Sequence, residues 1–431
     1  MTSSIVDDLR LQDAVYVLGF YFAVLVLHAI LPAYRTTGYC CDWKTGQPLR
    51  YRLNGPLVLV MSIGVPVYLC SKGVLPLSAL SHVAENLGSC IAYANMLGLL
   101  GSLLLVTCLP LEPSFRCLTE DQKALRARAA KGEDVGSRNL KPAPPRSRAA
   151  HFFFGTSFNP RLHLPLLHGA EGLDIKMALY ALGAAGLAFN ITSAVALRLQ
   201  RHPGVENLSL ALKLYAGMLM WFVGEYMCLE VVHLYTYDLM CEKLGFKLCW
   251  GCLVFYPFFY CVGVWSLVEA APDADISSGA AAAIAALFFC GWLLTRGANL
   301  QKYLYKTRGA SVSVSFAGGL LAAVELPTMR VVPCTRLLCS GFWGLARHVN
   351  YLGEIVQAIA LALPGYLVTP PDGSYRCHWY RLLPWLYPLY YLALFIPRQM
   401  DDDKQIEAKY GKGAFREYTR RVPFRIVPGV W

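Results

Sequence analysis

Long uncharged apolar runs are the feature that most constrains this chain. Six runs of about 20 residues contain no Asp, Glu, Lys or Arg, and a helix of that length crosses about 30 Å of hydrocarbon. They cover residues 14–34, 53–71, 86–111, 177–197, 248–268 and 276–295. Because lipid offers no hydrogen-bond partners to the backbone, the helix is the default spanning structure. The sequence therefore predicts a polytopic membrane protein.

Three less regular segments are further candidate spans. Residues 208–236 include Lys213, Glu225 and Glu230, and residues 352–369 include Glu354. The segment 382–397 is short for a membrane span. Only 16% of the chain is charged, whereas soluble domains carry about 25%. The predicted fold class is all-α: a transmembrane helix bundle of about nine to ten spans.

Charge placement predicts the orientation. With these spans, the basic loops 35–52, 112–150 and 296–350 fall on one side of the membrane. The acidic N-terminus and residues 269–275 fall on the other. By the positive-inside rule the basic side is the cytosol. The bases of loop 112–150 act as an orientation signal or bind anionic lipid.

The ends and the cysteines give no sign of processing or of a metal. Acidic residues precede the first apolar run, and no small-residue cleavage site follows it, so we predict no cleavable signal peptide. The 15 cysteines are scattered without metal-ligand or disulfide-framework spacing. We predict no metal site.

Polar residues within apolar surroundings point to function. One set runs from Glu225 to Lys247; its structural explanation is interhelical pairing and a solvated loop. A second set runs from Arg296 to Arg308, where Asn299 and a Gln interleave with bases that suit phosphates. A basic run after a span is also an ordinary topology signal.

The densest set is Gly341 to Glu354, with the sequence GFWGLARHVNYLGE. Glycines allow close backbone approach, and the aromatic, cationic and amide groups offer stacking faces and hydrogen-bond partners. A last polar set closes the chain, with KYG at 409–411 and VPFRIVPG at 422–429. Glycine-rich fingerprints of soluble nucleotide-binding folds are absent.

Taken together, these blocks resemble the sterol reductase family, which includes Δ14-, Δ7- and Δ24(28)-sterol reductases and the lamin B receptor. The 341–354 block is similar to the family's GWWGxxRHxNYxGD, and residues 298–302 to its ANxQK. The end of the chain resembles KYG…VPYRIIPG, and residues 158–161 with Asp174 and Lys176 resemble FNPRIG…FDxK. An insertion of about ten residues separates the halves of that last element. The resemblance extends from about Tyr51 to the C-terminus.

The resemblance implies a reductase of about ten helices in the endoplasmic reticulum membrane, with NADPH toward the cytosol and a sterol entering from the bilayer. It implies four parts: N-terminal transmembrane helices (1–111), a basic cytosolic loop (112–150), a central bundle on the sterol side (151–295) and an NADPH-binding half with a cytosolic tail (296–431). No nucleic acid and no obligate protein partner are implied.

An isolated alkene requires a proton before it accepts hydride. Tyr260, which matches the tyrosine of the family's PFxY, is the candidate proton donor. Asp402 falls at the family's acidic position upstream of KYG, and Arg398 lies four residues earlier. Pro397, Asp401 and Ile406 depart from the family's HRxxRDExxC pattern there.

The resemblance also implies a cofactor-binding set, in which Lys302 and Arg347 hold phosphates. The set comprises Asn299, Lys302, Lys306, Arg336, Trp343, Arg347, His348, Asn350, Tyr351, Arg398, Asp402 and Tyr410.

The motifs divide on which double bond is reduced. Residues 94–98, 250–254 and 341–348 look most like Δ7-sterol reductases, which is the bond we expect. Residues 296–299 and 350–353 look more like Δ14 enzymes, and residues 242–246 are similar to the Δ24(28) branch. These two bonds remain the alternatives.

Rival functions are a non-catalytic lamin B receptor-like protein, an isoprenylcysteine methyltransferase-like enzyme and a transporter. The ANxQK-like stretch favours NADPH over S-adenosylmethionine. A transporter would show paired broken segments in two matching halves, which this sequence lacks.

Overall fold

The computed structural model describes residues 10–41, 47–109, 147–163, 172–271, 274–309, 312–316, 321–326, 335, 337–368 and 379–430. These residues are mainly helical, with three two-stranded antiparallel hairpins. The helices are α1 (Leu11–Ile30), α2 (Gly55–Ser71), α3 (Leu77–Glu85), α4 (Leu87–Cys108), α5 (Arg148–Phe154), α6 (Ile175–Arg201), α7 (Leu210–Cys228), α8 (Glu230–His233), α9 (Tyr237–Cys241), α10 (Phe246–Val268), α11 (Ser278–Arg308), α12 (Phe342–Leu345), α13 (Val349–Val368), α14 (Trp379–Leu382), α15 (Leu386–Tyr410) and α16 (Lys412–Arg421). The strands are β1 (Tyr34–Cys41), β2 (Pro48–Leu53), β3 (Arg161–Leu162), β4 (Leu173–Asp174), β5 (Val312–Phe316) and β6 (Leu321–Leu326).

Six described helices, α1, α4, α6, α10, α11 and α13, are long and apolar enough to cross a membrane. The polytopic helical class is therefore confirmed, while the full number of spans stays a prediction. The shorter apolar helix α2 lies within the uncharged run 53–71 and contains a π-helical turn at Val60–Gly64.

Three helices differ in extent from the candidate spans. The predicted end of the span at residue 295 is the middle of α11, which continues to Arg308. Likewise α15 continues beyond the candidate span 382–397 to Tyr410. The candidate span 208–236 breaks at Leu229, where α7 has ended and α8 begins.

The described chain divides into two compact units. Unit one comprises residues 10–109, 147–283 and 361–387, and unit two comprises residues 284–360 and 388–430, each with the gaps given above.

The centre of unit one is α6, which packs against α3, α7 and α10. Its sequence alternates Ala and Gly with larger apolar residues, and small residues let neighbouring helices approach closely. A Cβ atom on Gly183 would lie 2.6 Å from the ring of Tyr256, and one on Gly186 would lie 3.0 Å from Pro257. These two glycines thus set how close α10 comes.

Polar contacts in unit one agree with the predicted alternation of loops. One group joins segments predicted to be cytosolic: Lys176 Nζ donates to the Asp238 carbonyl oxygen at 2.9 Å, and Cys40 contacts the Leu239 carbonyl. A second group joins segments predicted on the opposite side, through the pairs His82–Asp13 at 2.9 Å and Arg201–Glu269 at 3.0 Å. Which group faces the cytosol stays a prediction.

In unit two, α11 and α13 pack at their glycines. A Cβ atom on Gly353 would lie 2.5 Å from the Gly291 carbonyl oxygen. At the same crossing, Thr295 Oγ1 donates to the Asn350 carbonyl oxygen at 3.0 Å. This crossing places the 341–354 block against the second half of α11.

Candidate active site

Inward-facing residues of α15 recur every four positions. Tyr391, Phe395, Gln399 and Asp403 are all buried, as expected for one face of a helix. The aromatic stripe therefore ends in a carboxylate rather than in another apolar side chain. Asp403 was not among the candidates named from the sequence.

Asp403 forms a buried ion pair with Arg347. The guanidinium Nε donates to Asp403 Oδ1 at 3.3 Å and Nη2 donates to Oδ2 at 3.1 Å. His348 Nε2 lies 3.2 Å from the same Oδ1. Burial alone would raise the pKa of the Asp403 carboxyl, but hydrogen bonds from His348 and Arg347 outweigh it, so the pKa is lowered.

The remaining donors of Arg347 hold the C-terminal segment. Nη1 donates to the Val422 and Pro423 carbonyl oxygens at 2.8 and 2.9 Å. The Arg347 backbone N–H donates to the Phe424 carbonyl oxygen at 2.9 Å, and that of His348 donates to the Arg425 carbonyl oxygen at 2.8 Å. The two sequence blocks that we singled out separately thus form one structure.

This geometry bears on the predicted phosphate role of Arg347. Its side chain is 4% exposed, and four hydrogen bonds already engage Nε, Nη1 and Nη2. A phosphate ligand would have to displace a carboxylate or two backbone carbonyls. The guanidinium thus joins α15 to the C-terminal segment, and its phosphate role stays a prediction.

Asp402 joins the same network from the adjacent position. Tyr351 Oη donates to Asp402 Oδ2 at 2.6 Å, and His348 Nδ1 lies 3.8 Å from that oxygen. The Tyr351 ring stacks on Phe395 at 4.4 Å and on His348 at 5.5 Å. His348 therefore lies between two acids and beside an aromatic stack.

A second cluster joins the start of the 341–354 block to α11. Trp343 Nε1 donates to the Ala298 carbonyl oxygen at 2.8 Å, and the Gln301 amide bonds both Ser340 and Phe342 of the block. Gly341 has φ +60°, which a side chain would disfavour. Gln301 is a further residue that we had not named as a site candidate, although it is the Gln of the ANxQK-like stretch.

Lys302 lies over the Trp343 ring, with Nζ 5.9 Å from the ring centroid. Asn299 and Lys306 are half-buried on α11, and Tyr410 is half-buried at the end of α15. Arg398 is half-buried one turn before Asp402. Arg336 lies outside the described residues, as do residues 110–146 of the basic loop.

Three side chains of unit two are candidates for holding a dinucleotide. Asn350 Oδ1 is buried and has no hydrogen-bond partner among the described residues, so it suits the N–H of a carboxamide. Trp343 offers an aromatic face, and Lys302 beside it offers a cation for a phosphate. Together they are the features of unit two that could hold NADPH.

The candidate proton donor Tyr260 belongs to unit one and is half-buried among aromatic rings. Tyr256 and Tyr387 lie with centroids 4.8 Å from it, and Phe255 meets it edge-on at 5.9 Å. The phenol ring of Tyr260 is thus packed against three other aromatic rings.

Two other polar residues of unit one have structural partners. Glu230 Oε2 accepts a hydrogen bond from the Gly55 N–H at the start of α2, at 2.8 Å, which is the interhelical pairing considered from the sequence. In the FNPR-like element, Arg161 pairs with Asp174 across β3 and β4. Residues 164–171, between the two halves of this element, lie outside the described residues.

Comparison with known proteins gives one family match and three similar proteins. A family model described as "Ergosterol biosynthesis ERG4/ERG24 family" matches residues 6–431. The chain is 28% identical over 425 residues to "Delta(14)-sterol reductase" from Arabidopsis thaliana, covering 97% of this chain and 96% of that protein. It is 28% identical over 434 residues to "Delta(14)-sterol reductase TM7SF2" from Mus musculus, covering 99% and 87%. It is also 26% identical over 290 residues to "Probable 7-dehydrocholesterol reductase" from Acanthamoeba polyphaga mimivirus, covering 64% and 55%.

Proposed function

Because this chain belongs to the ERG4/ERG24 family of ergosterol biosynthesis, we propose that it reduces the Δ14 double bond of a sterol with NADPH. At the coarser level, the protein is a multi-pass membrane oxidoreductase that reduces a sterol double bond in sterol biosynthesis. We further propose the endoplasmic reticulum as its membrane and the bilayer as the route of sterol entry.

The relatives support Δ14 over the Δ7 bond that we expected from motifs. Two Δ14-sterol reductases align with almost the whole chain at 28% identity. Other Δ14-sterol reductases align with 65% of it at 28–31% identity, and the 7-dehydrocholesterol reductase aligns with 64% at 26%. The Δ7-like blocks at 94–98, 250–254 and 341–348 are short, and we give the long alignments more weight than these blocks. This full-length similarity is the observation that carries the proposal.

The proposed reaction begins with a proton. Tyr260 donates its phenolic proton to one alkene carbon, which leaves a carbocation at the other carbon. When bound, NADPH supplies the hydride that quenches this cation. The aromatic rings around Tyr260 exclude water, which would otherwise compete for the proton and for the cation.

Residues of unit two are proposed to hold the cofactor. Lys302 and Lys306 serve the phosphates, Asn350 Oδ1 accepts from the carboxamide, and Trp343 packs against a ring. Arg347 moves from the phosphate-binding group to a positioning role, because Asp403 and the tail engage its guanidinium. The roles of Asn299, Arg336, His348, Tyr351, Arg398, Asp402 and Tyr410 remain proposals from the family resemblance.

A substrate panel tests the proposal directly. Purified protein in detergent or nanodiscs is incubated with NADPH and, separately, with Δ14, Δ7 and Δ24(28) sterols, and the products are resolved by mass spectrometry. We expect loss of the Δ14 bond and a mass gain of two hydrogens. Reduction of only the Δ7 or Δ24(28) sterol would refute the assigned bond. NADH in place of NADPH tests the cofactor: equal rates would refute a role for the 2′-phosphate.

A further inference from the structure

An unusual helical segment leads directly to the proposed proton donor. Within α10, residues Gly251–Phe259 form a π-helix, and Tyr260 is the residue that follows it. π-Helical segments are rare, usually span one turn and are frequent at functional sites. This one also contains Pro257, so its backbone hydrogen bonds are incomplete.

Tyr21 of α1 bonds to the π-helix within one turn of Pro257. In a π-helix each N–H bonds the carbonyl five residues earlier, so Pro257, which has no N–H, cannot bond the Cys252 carbonyl. The Tyr21 hydroxyl donates to this Leu253 carbonyl oxygen, and both residues are buried. A side chain from another helix thus bonds a carbonyl inside the π-helix, next to the carbonyl that the proline leaves.

Asn190 of α6 bonds to the next turn of the same segment. Its Nδ2 donates to the Pro257 carbonyl oxygen at 3.1 Å and to the Gly186 carbonyl oxygen of its own helix at 3.0 Å. Asn190 is 2% exposed. Gly186, one turn earlier on α6, gives the Pro257 ring the room to approach.

Packing alone does not require these polar groups. A buried amide in a membrane protein is expensive unless it is hydrogen-bonded, and apolar residues of similar size would fill the same space. Tyr21 and Asn190 instead bond two carbonyls that lie seven and three residues before Tyr260, that is, about two turns and one turn along the helix. They therefore fix the rotation of the segment from which the Tyr260 side chain projects.

We infer that Tyr21 and Asn190 are positioning residues for proton transfer, which hold the π-helix so that the Tyr260 hydroxyl meets the sterol alkene. This inference rests on the proposed function of Tyr260 as the proton donor. It assigns neither residue a contact with the substrate. A small rotation of the helix is enough to matter, since misplacing a reacting group by about 1 Å can lower a rate about a hundredfold.

A double-mutant cycle with Tyr260 tests the inference. Tyr21→Phe keeps the ring and removes the hydroxyl; Asn190→Leu keeps the volume and removes the amide. We expect each to lower kcat by about tenfold or more, with the KM for NADPH and the thermal midpoint retained. In a Tyr260→Phe background, neither change should lower kcat further, because the group that they position is absent.

Matched controls come from the same helices. Tyr16→Phe removes a phenol from α1, where the Tyr16 ring stacks on His82. Thr192→Val removes a hydroxyl from α6 that bonds the Ala188 carbonyl of its own helix. Both controls should retain the wild-type kcat.

The outcomes distinguish the proton-donor role of Tyr260 from the positioning role of Tyr21 and Asn190. A near wild-type rate for Tyr260→Phe would overturn the proton donor itself. A strongly impaired Tyr260→Phe, with unimpaired Tyr21→Phe and Asn190→Leu, would overturn only the positioning role. The positioning role would also be overturned if Tyr21→Phe or Asn190→Leu lowered kcat by the same factor in the Tyr260→Phe background as in the wild type. If Tyr21→Phe and Asn190→Leu both fail to yield folded protein, the two residues serve stability and the inference is wrong.

Discussion

Asp403→Asn should release the C-terminal segment from the 341–354 block. The change keeps the size of the side chain but leaves the Arg347 guanidinium, 4% exposed, without its bidentate counter-charge. Removing one partner of a buried ion pair costs about 3–5 kcal/mol. Because asparagine retains one acceptor oxygen, we expect the lower end, about 3 kcal/mol.

Limited proteolysis measures this opening. The bond after Arg425 is protected because Ile426 is buried and the Arg425 carbonyl accepts from the His348 N–H. When opening is fast relative to cleavage, the trypsin rate follows the open population. A loss of about 3 kcal/mol raises that population more than a hundredfold, so cleavage after Arg425 should accelerate by about that factor, without NADPH present.

Asp401→Asn is the matched control for Asp403→Asn. It removes the same charge from an exposed position two residues earlier, where Asp401 Oδ2 accepts from Gln405. Surface substitutions usually change stability by less than about 0.5 kcal/mol. Equal cleavage rates after Arg425 in the two variants would refute the role of Asp403.

The pH dependence of this contact follows from the lowered pKa of Asp403. A carboxyl whose folded pKa lies below its unfolded value of about 3.9 stabilises fully above that value. The stabilisation is then lost as the pH falls through the lower, folded pKa. Between pH 5 and 8, protection of the Arg425 bond should therefore not change through this group.

Three further predictions concern cofactor, chemistry and orientation. Lys302→Ala should raise the KM for NADPH about tenfold to a hundredfold, since one charge-assisted hydrogen bond contributes about 1.5–3 kcal/mol; an unchanged value, equal to that of the exposed-lysine control Lys404→Ala, would exclude a phosphate contact. Tyr260→Phe should lower kcat about a hundredfold or more while NADPH still binds; a normal rate would move the search to Asp402 or Glu225. In sealed microsomes with the cytosolic face outward, an impermeant maleimide should label Cys117 and a Thr45→Cys variant; protection of both would reverse the proposed orientation.

Uncharged runs located the membrane helices well but not their ends. A run such as 276–295 marks the part of a helix that lies in hydrocarbon, where charges are costly. A helix does not have to end where the chain leaves the hydrocarbon, and α11 continues through the Arg296 to Arg308 segment. The same reason explains α15, because the turns after Pro397 carry Gln399 and Asp403 on its buried face.

The four-residue spacing in the sequence indicates that Asp403 lies on the inward face of α15, but it does not indicate which residues Asp403 contacts. Extending the series Tyr391, Phe395 and Gln399 by four residues reaches Asp403, and not Asp401 or Asp402, on the inward face. Its bonds to Arg347 join residues 56 apart in sequence, and those of Arg347 to Pro423 join residues 76 apart. No local periodicity encodes contacts of that range.

The departures from the family pattern in α15 fall where they disturb the network least. Pro397 and Asp401 are exposed, and Ile406 is half-buried beside Tyr410 and Tyr418. By contrast, the retained Arg398 and Asp402 are half-buried, and Asp403 is buried. A proline inside a helix removes one backbone hydrogen bond, yet the helix here continues, since Phe395, Gln399 and Asp403 anchor the turns on either side. The changes thus alter the outer face of α15 and leave the acids in contact with Arg347, His348 and Tyr351, so we expect them to be compatible with activity.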